Sequence, residues 1–257
     1  MLQLKIVIIG AGNVAWHLGK GLQDKGQIIH QVYNRSVDSA ISLSKRLQCD
    51  YTNNIKDISS KADLYIIATK DSAIKKISES LNINNQLVVH TSGIEDINTI
   101  KHNRKGVFYP LQTISKKRKL DFKNTPFCIE TSRSEDLNLL SSLAKLLGSK
   151  VYNINTHQRK VIHVAAVFAC NFSNYMYMIS EEILSEEKIP LEILNPLIQE
   201  TANKINNHKP KDVQTGPAMR KDIFSIKKHL EYLKEGNKHD IYKLITENII
   251  AINKHEL

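Results

Sequence analysis

The sequence predicts an α/β fold, with a doubly wound domain of parallel strands followed by an all-helical domain. In the first 150 residues, short runs rich in β-branched side chains alternate with segments of helical periodicity. This alternation is typical of a parallel sheet covered by helices on both faces. A glycine-rich turn, "GAGNVA", follows the first of these runs at residues 10–15. After about residue 155 nearly every segment has helical periodicity. We therefore predict two domains, residues 1–154 and residues 155–257.

The first domain is predicted to alternate strands and helices along its whole length. Five strands follow from apolar runs at residues 4–10, 28–34, 62–69, 85–93 and 106–111. The segments "PFCIET" and "KVYNI" predict two later strands, and "CDYT" near residue 50 predicts a short additional one. Helices are predicted after the glycine turn and at residues 36–47 and 134–147. The second domain is predicted to hold helices at residues 157–187, 191–206, 217–235 and 238–254.

Composition and cysteine usage limit the classes of protein to which the chain can belong. The 257 residues are 41% hydrophobic and 24% charged, which is ordinary for a soluble globular protein. The longest apolar run, residues 161–170, is far shorter than the span of about 20 residues that a bilayer requires. Three cysteines lie far apart without CxxC spacing. We therefore expect a cytoplasmic protein with neither a metal site nor a membrane partner.

The formal net charge of +10 raises the question of nucleic-acid binding. The lysines are scattered, and their densest cluster, "SKKRK" at residues 115–119, lies in a predicted loop. No aromatic stacking platform or helix-turn-helix pattern accompanies these cations. We therefore expect no nucleic-acid partner, and a positive field would instead favour an anionic cofactor or substrate.

The turn "GAGNVA" fits the pattern G-x-G-x-x-A of dinucleotide-binding proteins. Gly10 would form the tight turn, Gly12 would let the backbone approach a pyrophosphate, and Ala15 would allow close packing of helix on strand. Asn13 and Val14 would begin the helix whose N-terminus faces the phosphates. The turn follows a predicted strand and opens a predicted helix, which favours cofactor binding over the alternative of a turn that binds nothing.

The end of the second predicted strand indicates which dinucleotide binds. NAD sites usually place a carboxylate there, whereas NADP sites place an arginine near the additional phosphate. This chain has Asn34, Arg35 and Ser36 at that position. The sequence therefore favours NADP(H) over NAD, although Ser36 could serve only as a helix N-cap and Arg35 only as a solvated side chain.

Three loops follow predicted strands at the edge of the sheet where ligands bind in such folds. They are "TKDSA", "HTSG" and "YPLQT", at residues 69–73, 90–93 and 109–113. We expect Thr69, His90 and Ser92 to lie near the cofactor, and Ser92, Gly93 and Gln112 to lie near the substrate. The alternative is that "SG" is only turn chemistry and that the histidine is a buried strand-end residue.

The long helix predicted from residue 157 carries a polar stripe. At about 100° per residue, one arc of the helix collects Lys160, His163, Asn171 and Asn174. The opposite side collects apolar residues expected to form core, namely Val161, Ala165, Phe168, Phe172 and Ile179. An imidazole titrates near neutral pH and suits proton transfer, so His163 is the candidate acid or base, with Asn171 orienting the substrate. The alternative is a structural histidine.

The segment "QTGPAMRKD", residues 214–222, predicts an anion site. Pro217 suits the first turn of a helix, which would place free backbone amides beside Thr215. Arg220 would lie one turn further on and could hold a substrate carboxylate or phosphate. The alternative is a helix start with solvated charges.

These stretches together resemble a bacterial family of Rossmann-like proteins. The match runs through the glycine turn, "HTSG", "FYPLQT", "HQRKVIHVAAVFACNF", "PLIQET", "QTGPAMRKD" and "IYKLI". The C-terminal half of this family is known as domain of unknown function 2520, and its members are often labelled NADP oxidoreductases. The helical half also resembles the C-terminal domain of 6-phosphogluconate dehydrogenase. The wider group includes pyrroline-5-carboxylate reductases, ketopantoate reductases and β-hydroxyacid dehydrogenases.

The resemblance implies a homodimer formed through the helical half, with substrate bound between the crevice loops and the long helix. β-Hydroxyacid dehydrogenases place a catalytic lysine on the corresponding helix, which points to Lys160. This chain lacks their asparagine one turn later, at position 164, and carries His163 in the stripe instead.

The combined prediction is an NADP(H)-dependent oxidoreductase that acts on a small anionic carbonyl, imine or hydroxy compound. The alternative is a non-catalytic protein that binds NADP(H) in a regulatory or scaffold role. The two differ in one structural respect, because only the enzyme requires the stripe of Lys160, His163 and Asn171 to face the "HTSG" loop.

Overall fold

A computed structural model describes residues 3–252 and divides the chain into two compact units. The first unit ends at Cys170 and the second begins at Asn171. The division falls later than the predicted domain boundary at residues 154 and 155, because the helix that follows this boundary packs with the first unit. The assignment of separate cofactor and substrate roles to the two domains stays a prediction.

The first unit is built on one eight-stranded sheet. Its strands are β1 (Lys5–Ile9), β2 (Ile28–Tyr33), β3 (Asp50–Thr52), β4 (Leu64–Ile67), β5 (Leu87–His90), β6 (Lys105–Pro110), β7 (Phe127–Thr131) and β8 (Val151–Asn153). Their order across the sheet is β3-β2-β1-β4-β5-β6-β7-β8. The order reverses at β1, and in open α/β sheets this switch point is where ligands bind.

Helices cover both faces of this sheet, as the continuous apolar strands predicted. They are α1 (Asn13–Asp24), α2 (Val37–Leu47), α3 (Ile74–Ser80) and α4 (Ser134–Leu146). Ile6 and Ile8 of β1 belong to one core cluster, which also contains apolar residues of α1, α2 and α4. Val7 and Ile9 point to the other face and pack with α3. The alternation of β1 side chains between two buried layers explains its uninterrupted apolar sequence.

Strand β7 departs from the predicted parallel sheet. It runs antiparallel to β6 and parallel to β8, whereas all other neighbours are parallel. The chain between β6 and β7 holds only a short 3-10 turn, Phe122–Asn124. A parallel pair needs a crossover, usually a helix, so a connection without one returns the chain in the opposite direction.

The segment predicted as one helix over residues 157–187 has three parts. Helix α5 (Thr156–Ala166) is followed by a π-helical segment (Val167–Phe172) and then by α6 (Ser173–Glu186). A π turn closes i→i+5 hydrogen bonds, so the predicted spacing of about 100° does not hold across it. The predicted polar stripe is therefore broken between His163 and Asn171. The expected apolar core face is also wrong, because Val161, Phe168 and Phe172 are each about half exposed or more.

The second unit continues with α7 (Asn195–Lys204), α8 (Ile223–Leu233) and α9 (Asn237–Ile252). The last two positions of the helix predicted to residue 254 lie outside the described residues. Within residues 3–252 no helix combines the length and the apolar character needed to cross a membrane.

The predicted helix start at Pro217 is wrong. Residues 217–221 form turns, and α8 begins only at Ile223, with Asp222 as its N-cap. The Asp222 carboxylate accepts a hydrogen bond from the Ser225 amide at 3.0 Å, and the left-handed backbone of Lys221 (φ 52°) stops any helix from running through it. Thr215 therefore precedes these turns and does not stand beside a free helix N-terminus.

Candidate active site

The glycine turn at the end of β1 has the geometry of a dinucleotide-binding site. Gly10 has φ 114°, and a Cβ there would lie 2.2 Å from the carbonyl oxygen of Ala68, so only glycine fits. Gly12 is the N-cap of α1, and a Cβ there would meet no atom within 4 Å. Ala15 is fully buried beneath the turn. Open space above Gly12 is what the approach of a pyrophosphate to the backbone requires.

The first turn of α1 also fits an anion. No side chain caps this helix, and no acidic residue lies in its first turn. Asn13 and Val14 therefore begin a helix whose positive end is not neutralised by its own sequence. The side chain of Asn13 turns away to donate a hydrogen bond to the Ile114 carbonyl at 2.9 Å. The residues present thus fit a dinucleotide, with its phosphates at this turn.

The end of β2 places the three predicted residues beside the glycine turn. The Gly10 amide donates to the Tyr33 carbonyl at 2.7 Å, which joins the ends of the two strands. The Asn34 side chain donates to the Ser36 carbonyl at 3.0 Å, and Ser36 is the N-cap of α2. Arg35 is exposed and forms no ion pair within residues 3–252. Its guanidinium is thus available to a phosphate at the strand end.

The "HTSG" loop is shaped by its own polar side chains. The Ser92 amide donates to His90 Nδ1 at 3.2 Å, and Ser92 Oγ accepts from the amides of Ile94 and Glu95 at 3.1 and 3.0 Å. His90 is fully buried, and its Nε2 has no hydrogen-bond partner among the described residues. Burial, and then the nearby Arg159 cation, lower the pKa of His90 to about 4, so the ring is neutral at pH 7.

Gly93, Tyr109 and His163 meet at the carboxyl edge of the sheet. Tyr109 lies near the end of β6, Gly93 follows β5, and His163 lies on α5. Tyr109 Oη lies 3.2 Å from His163 Nδ1, at hydrogen-bond distance. A Cβ at Gly93 would lie 2.5 Å from the same Nδ1 and 3.0 Å from Tyr109 Cζ. Glycine is therefore needed at position 93 because the two side chains occupy the space where a Cβ would be.

The Tyr109 hydroxyl stays protonated over the whole physiological range. Burial, and then the neighbouring Cys128, raise the pKa of Tyr109 to about 12, while the Arg159 cation acts in the opposite direction. Tyr109 is consequently a neutral hydrogen-bond donor. Its hydroxyl can donate a hydrogen bond to His163 Nδ1 when that nitrogen carries no proton, or accept one from Nδ1–H when it does.

Arg159 is a site residue that the sequence analysis did not single out. It is fully buried one turn before His163, and its guanidinium pairs with Glu130 of β7 and with the Glu95 carbonyl. Thr156 Oγ1 donates to the same Glu130 carboxylate at 2.8 Å. These bonds attach α5 to β7 and to the loop after β5. Its partners are 29 and 64 positions away in the sequence, so only the fold could reveal that this arginine is buried.

The other predicted residues are distributed over both units. In the first unit Lys160 is exposed, Thr69 lies beside Gly10, and the Gln112 side chain accepts the Thr113 amide at 2.9 Å. Four residues lie in the second unit: Asn171, Asn174, Thr215 and Arg220. Their roles stay predictions, as do the cofactor contacts of His90 and Ser92. Within residues 3–252 no cluster of His, Cys, Asp or Glu could hold a metal ion.

The fold and this site define a Rossmann-type dinucleotide-binding protein with a helical second unit. Two sequence families match the chain. The family "NADP oxidoreductase coenzyme F420-dependent" matches residues 5–92, and "Domain of unknown function (DUF2520)" matches residues 125–249. The comparison with curated protein sequences gives no match.

A solved structure extends this likeness to nearly the whole chain. The crystal structure of BF3122 from Bacteroides fragilis, described as a "putative NADP oxidoreductase", is 40% identical, with a TM-score of 0.90. The match covers 97% of this chain and 98% of that one. The chain belongs to this NADP oxidoreductase family, and NADP, the cofactor predicted from the sequence, is the cofactor of the family.

Two more distant structures share the fold. A pyrroline-5-carboxylate reductase from Coxiella burnetii is 17% identical, with a TM-score of 0.61 over 99% of this chain and 98% of that one. An imine reductase from Myxococcus stipitatus, solved with NADP+, is 13% identical, with a TM-score of 0.65 over 98% of this chain and 93% of that one. These likenesses confirm the predicted fold class.

Proposed function

We propose that the protein is an NADPH-dependent reductase of a small anionic imine or carbonyl compound, with the related hydroxy compound as the product of carbonyl reduction. The observation that carries this proposal is the contact of His163 with Gly93 and Tyr109 at the carboxyl edge of the sheet. The same edge carries the glycine turn. The two more distant structures that share the fold are named as a pyrroline-5-carboxylate reductase and an imine reductase. A regulatory or scaffold role is the weaker candidate, because it would not need a proton-transferring pair in the crevice.

The proton of the reaction would come from the Tyr109–His163 pair. When bound, NADPH supplies the hydride. Reduction of a C=N or C=O bond also consumes one proton at the nitrogen or oxygen. Tyr109 Oη and His163 Nδ1 lie at hydrogen-bond distance, 3.2 Å apart, and an imidazole can replace a donated proton from solvent. His163 is thus the proposed acid or base, with Asn171 and Lys160 as the residues that orient the substrate.

The anionic group of the substrate would be held by the second unit. Arg220 lies in the turns before α8, Thr215 lies just before these turns, and Asn174 lies on α6. A guanidinium and a hydroxyl suit a carboxylate or a phosphate. On the first unit, Ser92, Gly93 and Gln112 are the residues proposed to contact the substrate.

We also propose a cytoplasmic homodimer formed through the helical unit. Large apolar side chains are exposed on the helical unit of the single chain, among them Phe224, Leu197 and Leu244, which are 71%, 63% and 61% exposed. Monomeric proteins rarely leave so much apolar surface uncovered, and a second copy would cover it. The cytoplasmic location rests on the free state of all three cysteines.

Binding of the two nucleotides tests the cofactor assignment. We expect the wild-type protein to bind NADPH. Arg35→Ala should weaken the affinity for NADPH by about 10-fold and leave the affinity for NADH unchanged, because Arg35 would contact only the 2′-phosphate. Titration followed by nucleotide fluorescence measures both affinities. Arg133→Ala, another exposed arginine of the first unit, is the matched control. Failure of the wild-type protein to bind either nucleotide would contradict the proposal.

A further inference from the structure

The loop between β6 and β7 is held along one face of α1. Asn13 Nδ2 donates to the Ile114 carbonyl, and His17 Nε2 lies 2.9 Å from the Ser115 carbonyl. One turn further along α1, Gly21 leaves the space that the Phe122 ring fills, since a Cβ there would lie 2.5 Å from the ring. Positions 13, 17 and 21 are spaced by four residues, so they share a face of the helix. This face fixes the loop beside the N-terminus of α1.

The fixed loop carries four consecutive cations, Lys116, Lys117, Arg118 and Lys119. None of them takes part in the ion pairs found within residues 3–252. Lys116 Nζ lies 4.9 Å from the centre of the Trp16 ring, which holds this side chain against α1. Like charges confined in one loop repel each other, so an anion that bridges them would be stabilising.

Arg118 and Lys119 line a cavity of about 350 Å³ together with uncharged polar residues of the same loop, Gln112, Thr113, Ser115 and Asn124. Asp121 is the only acidic residue of the lining. Its carboxylate is already engaged, since it accepts the Lys123 amide and the Asn124 side-chain amide, each at 3.0 Å. Two cations, hydroxyls and a side-chain amide around one cavity are the donors that bind phosphate groups.

We propose that Arg118 and Lys119 form a second phosphate-binding element beside the glycine turn. Its ligand is a phosphate group, either of the cofactor or of a phosphorylated substrate. The cofactor source rests on the proposed function, whereas the substrate source does not require NADPH. The site accounts for the densest cationic segment of a chain whose formal net charge is +10.

The experiment compares Arg118→Ala/Lys119→Ala with Lys75→Ala/Lys76→Ala, which removes the same charge from the exposed surface of α3. The ligands are NADPH, NADH and inorganic pyrophosphate. Binding is followed through the emission of Trp16, the single tryptophan of the chain, which lies against the loop. We expect the affinity for pyrophosphate to be about 10-fold weaker in the loop variant and to change by less than 2-fold in the control. The charge-preserving variant Arg118→Lys/Lys119→Arg should retain most of the affinity.

The pattern of losses identifies the source of the phosphate. An equal loss of affinity for NADPH and NADH supports contact with the cofactor pyrophosphate. A loss of affinity for NADPH alone supports contact with its 2′-phosphate. A loss for pyrophosphate alone supports a substrate phosphate. If the wild-type protein binds pyrophosphate but neither nucleotide, and the loop variant alone weakens that binding, the loop site stands while the proposed cofactor fails. Equal affinities of the loop variant and the control for all three ligands would overturn the inference.

Discussion

Gly93 determines the geometry of the candidate site at the scale of single residues. Its missing Cβ lets His163 Nδ1 and the Tyr109 ring approach the loop after β5. Any larger residue would have to displace the imidazole or the loop backbone, and neither is the free end of a flexible side chain. A glycine that could be taken for ordinary turn chemistry in the sequence is therefore required by two aromatic neighbours.

Turnover should depend on the two side chains that meet at Gly93. We expect His163→Ala to lower turnover by about 10²-fold or more, because the proposed reaction would lose its proton source while the cofactor site stays intact. Tyr109→Phe, which removes only the hydroxyl, should produce a loss of the same kind. NADPH consumption with cyclic imines and small keto acids measures the rate, and nucleotide fluorescence measures binding.

The matched control for this prediction is His157→Ala, an exposed histidine at the start of the same helix. It should change neither rate nor binding. Unchanged turnover in His163→Ala would exclude His163 from proton transfer.

His90 should make the stability of the first unit depend on pH. Its pKa is lowered from the ordinary 6.5 to about 4 by burial, so below pH 6.5 the unfolded chain takes up a proton that the folded chain refuses. The stabilisation is complete above pH 6.5 and is lost as the pH falls towards 4. Between pH 7 and pH 5 the loss is about 2 kcal/mol in the free energy of unfolding. Urea titrations at these two pH values measure it.

The variant His90→Asn keeps an acceptor for the Ser92 amide but cannot titrate. Its free energy of unfolding should fall less between pH 7 and pH 5 than that of the wild-type protein. His157→Asn, at an exposed position, should follow the wild type. An equal fall in all three proteins would rule out His90 as the titrating group.

At the scale of elements, the candidate site depends on how α5 is attached to the sheet. Arg159 pairs with Glu130 of β7 and with the carbonyl of Glu95, and Thr156 donates to the same carboxylate. His163 follows Arg159 by one helical turn, so these bonds set where the imidazole lies. The attachment is made by buried polar groups, which specify one geometry more narrowly than apolar packing does.

Breaking this attachment should be costly. We expect Arg159→Met to lower the free energy of unfolding by about 3 kcal/mol or more, because Glu130 would lose the buried cation with which it pairs. Arg159→Met/Glu130→Gln should recover part of the loss, since neither charge remains. Chemical denaturation of the wild type, Arg159→Met, Glu130→Gln and the double variant gives the coupling energy.

Lys160→Met is the matched control, because this neighbouring cation is exposed on the same helix. Its effect should stay within about 0.5 kcal/mol. An additive double variant would show that the two side chains do not stabilise each other.

The elements also show what the sequence could predict. The strands from β1 to β6 were predictable because β-branched runs bounded by turn residues leave few alternatives. The direction of β7 was not predicted, although the connection before it lacks a crossover helix and therefore returns the chain antiparallel. The π segment (Val167–Phe172) has no local signal, and a one-residue change of helical phase moved Asn171 off the predicted arc.

The same reasoning applies to the site. Gly10, Gly12 and Ala15 were predictable because a backbone conformation demands those residue types. Tyr109 was not singled out, since an aromatic side chain at a strand end is as typical of core as of catalysis. The buried position of Arg159 follows from tertiary contacts with Glu130 and the Glu95 carbonyl, which are distant in sequence.

At the scale of the whole molecule, the exposed apolar side chains of the helical unit lead to a prediction about assembly. We expect light scattering to give a dimer at micromolar concentration, because covering residues such as Phe224 and Leu197 removes apolar surface from water. Phe224→Glu should shift the equilibrium towards monomer. A monomeric wild-type protein would contradict the proposal.

The two sequence families that match the chain meet inside a single sheet. The first match ends at residue 92, shortly after β5, and the second begins at residue 125, just before β7. Strand β7 is hydrogen-bonded to β6 on one side and to β8 on the other. A recombination event that replaced only the second matched segment would therefore have to restore the hydrogen bonds between β6 and β7 as well as the candidate site. We expect the two matched segments to be inherited together. Tyr109 lies between the two matches, and we expect that it is not exchanged with either segment alone.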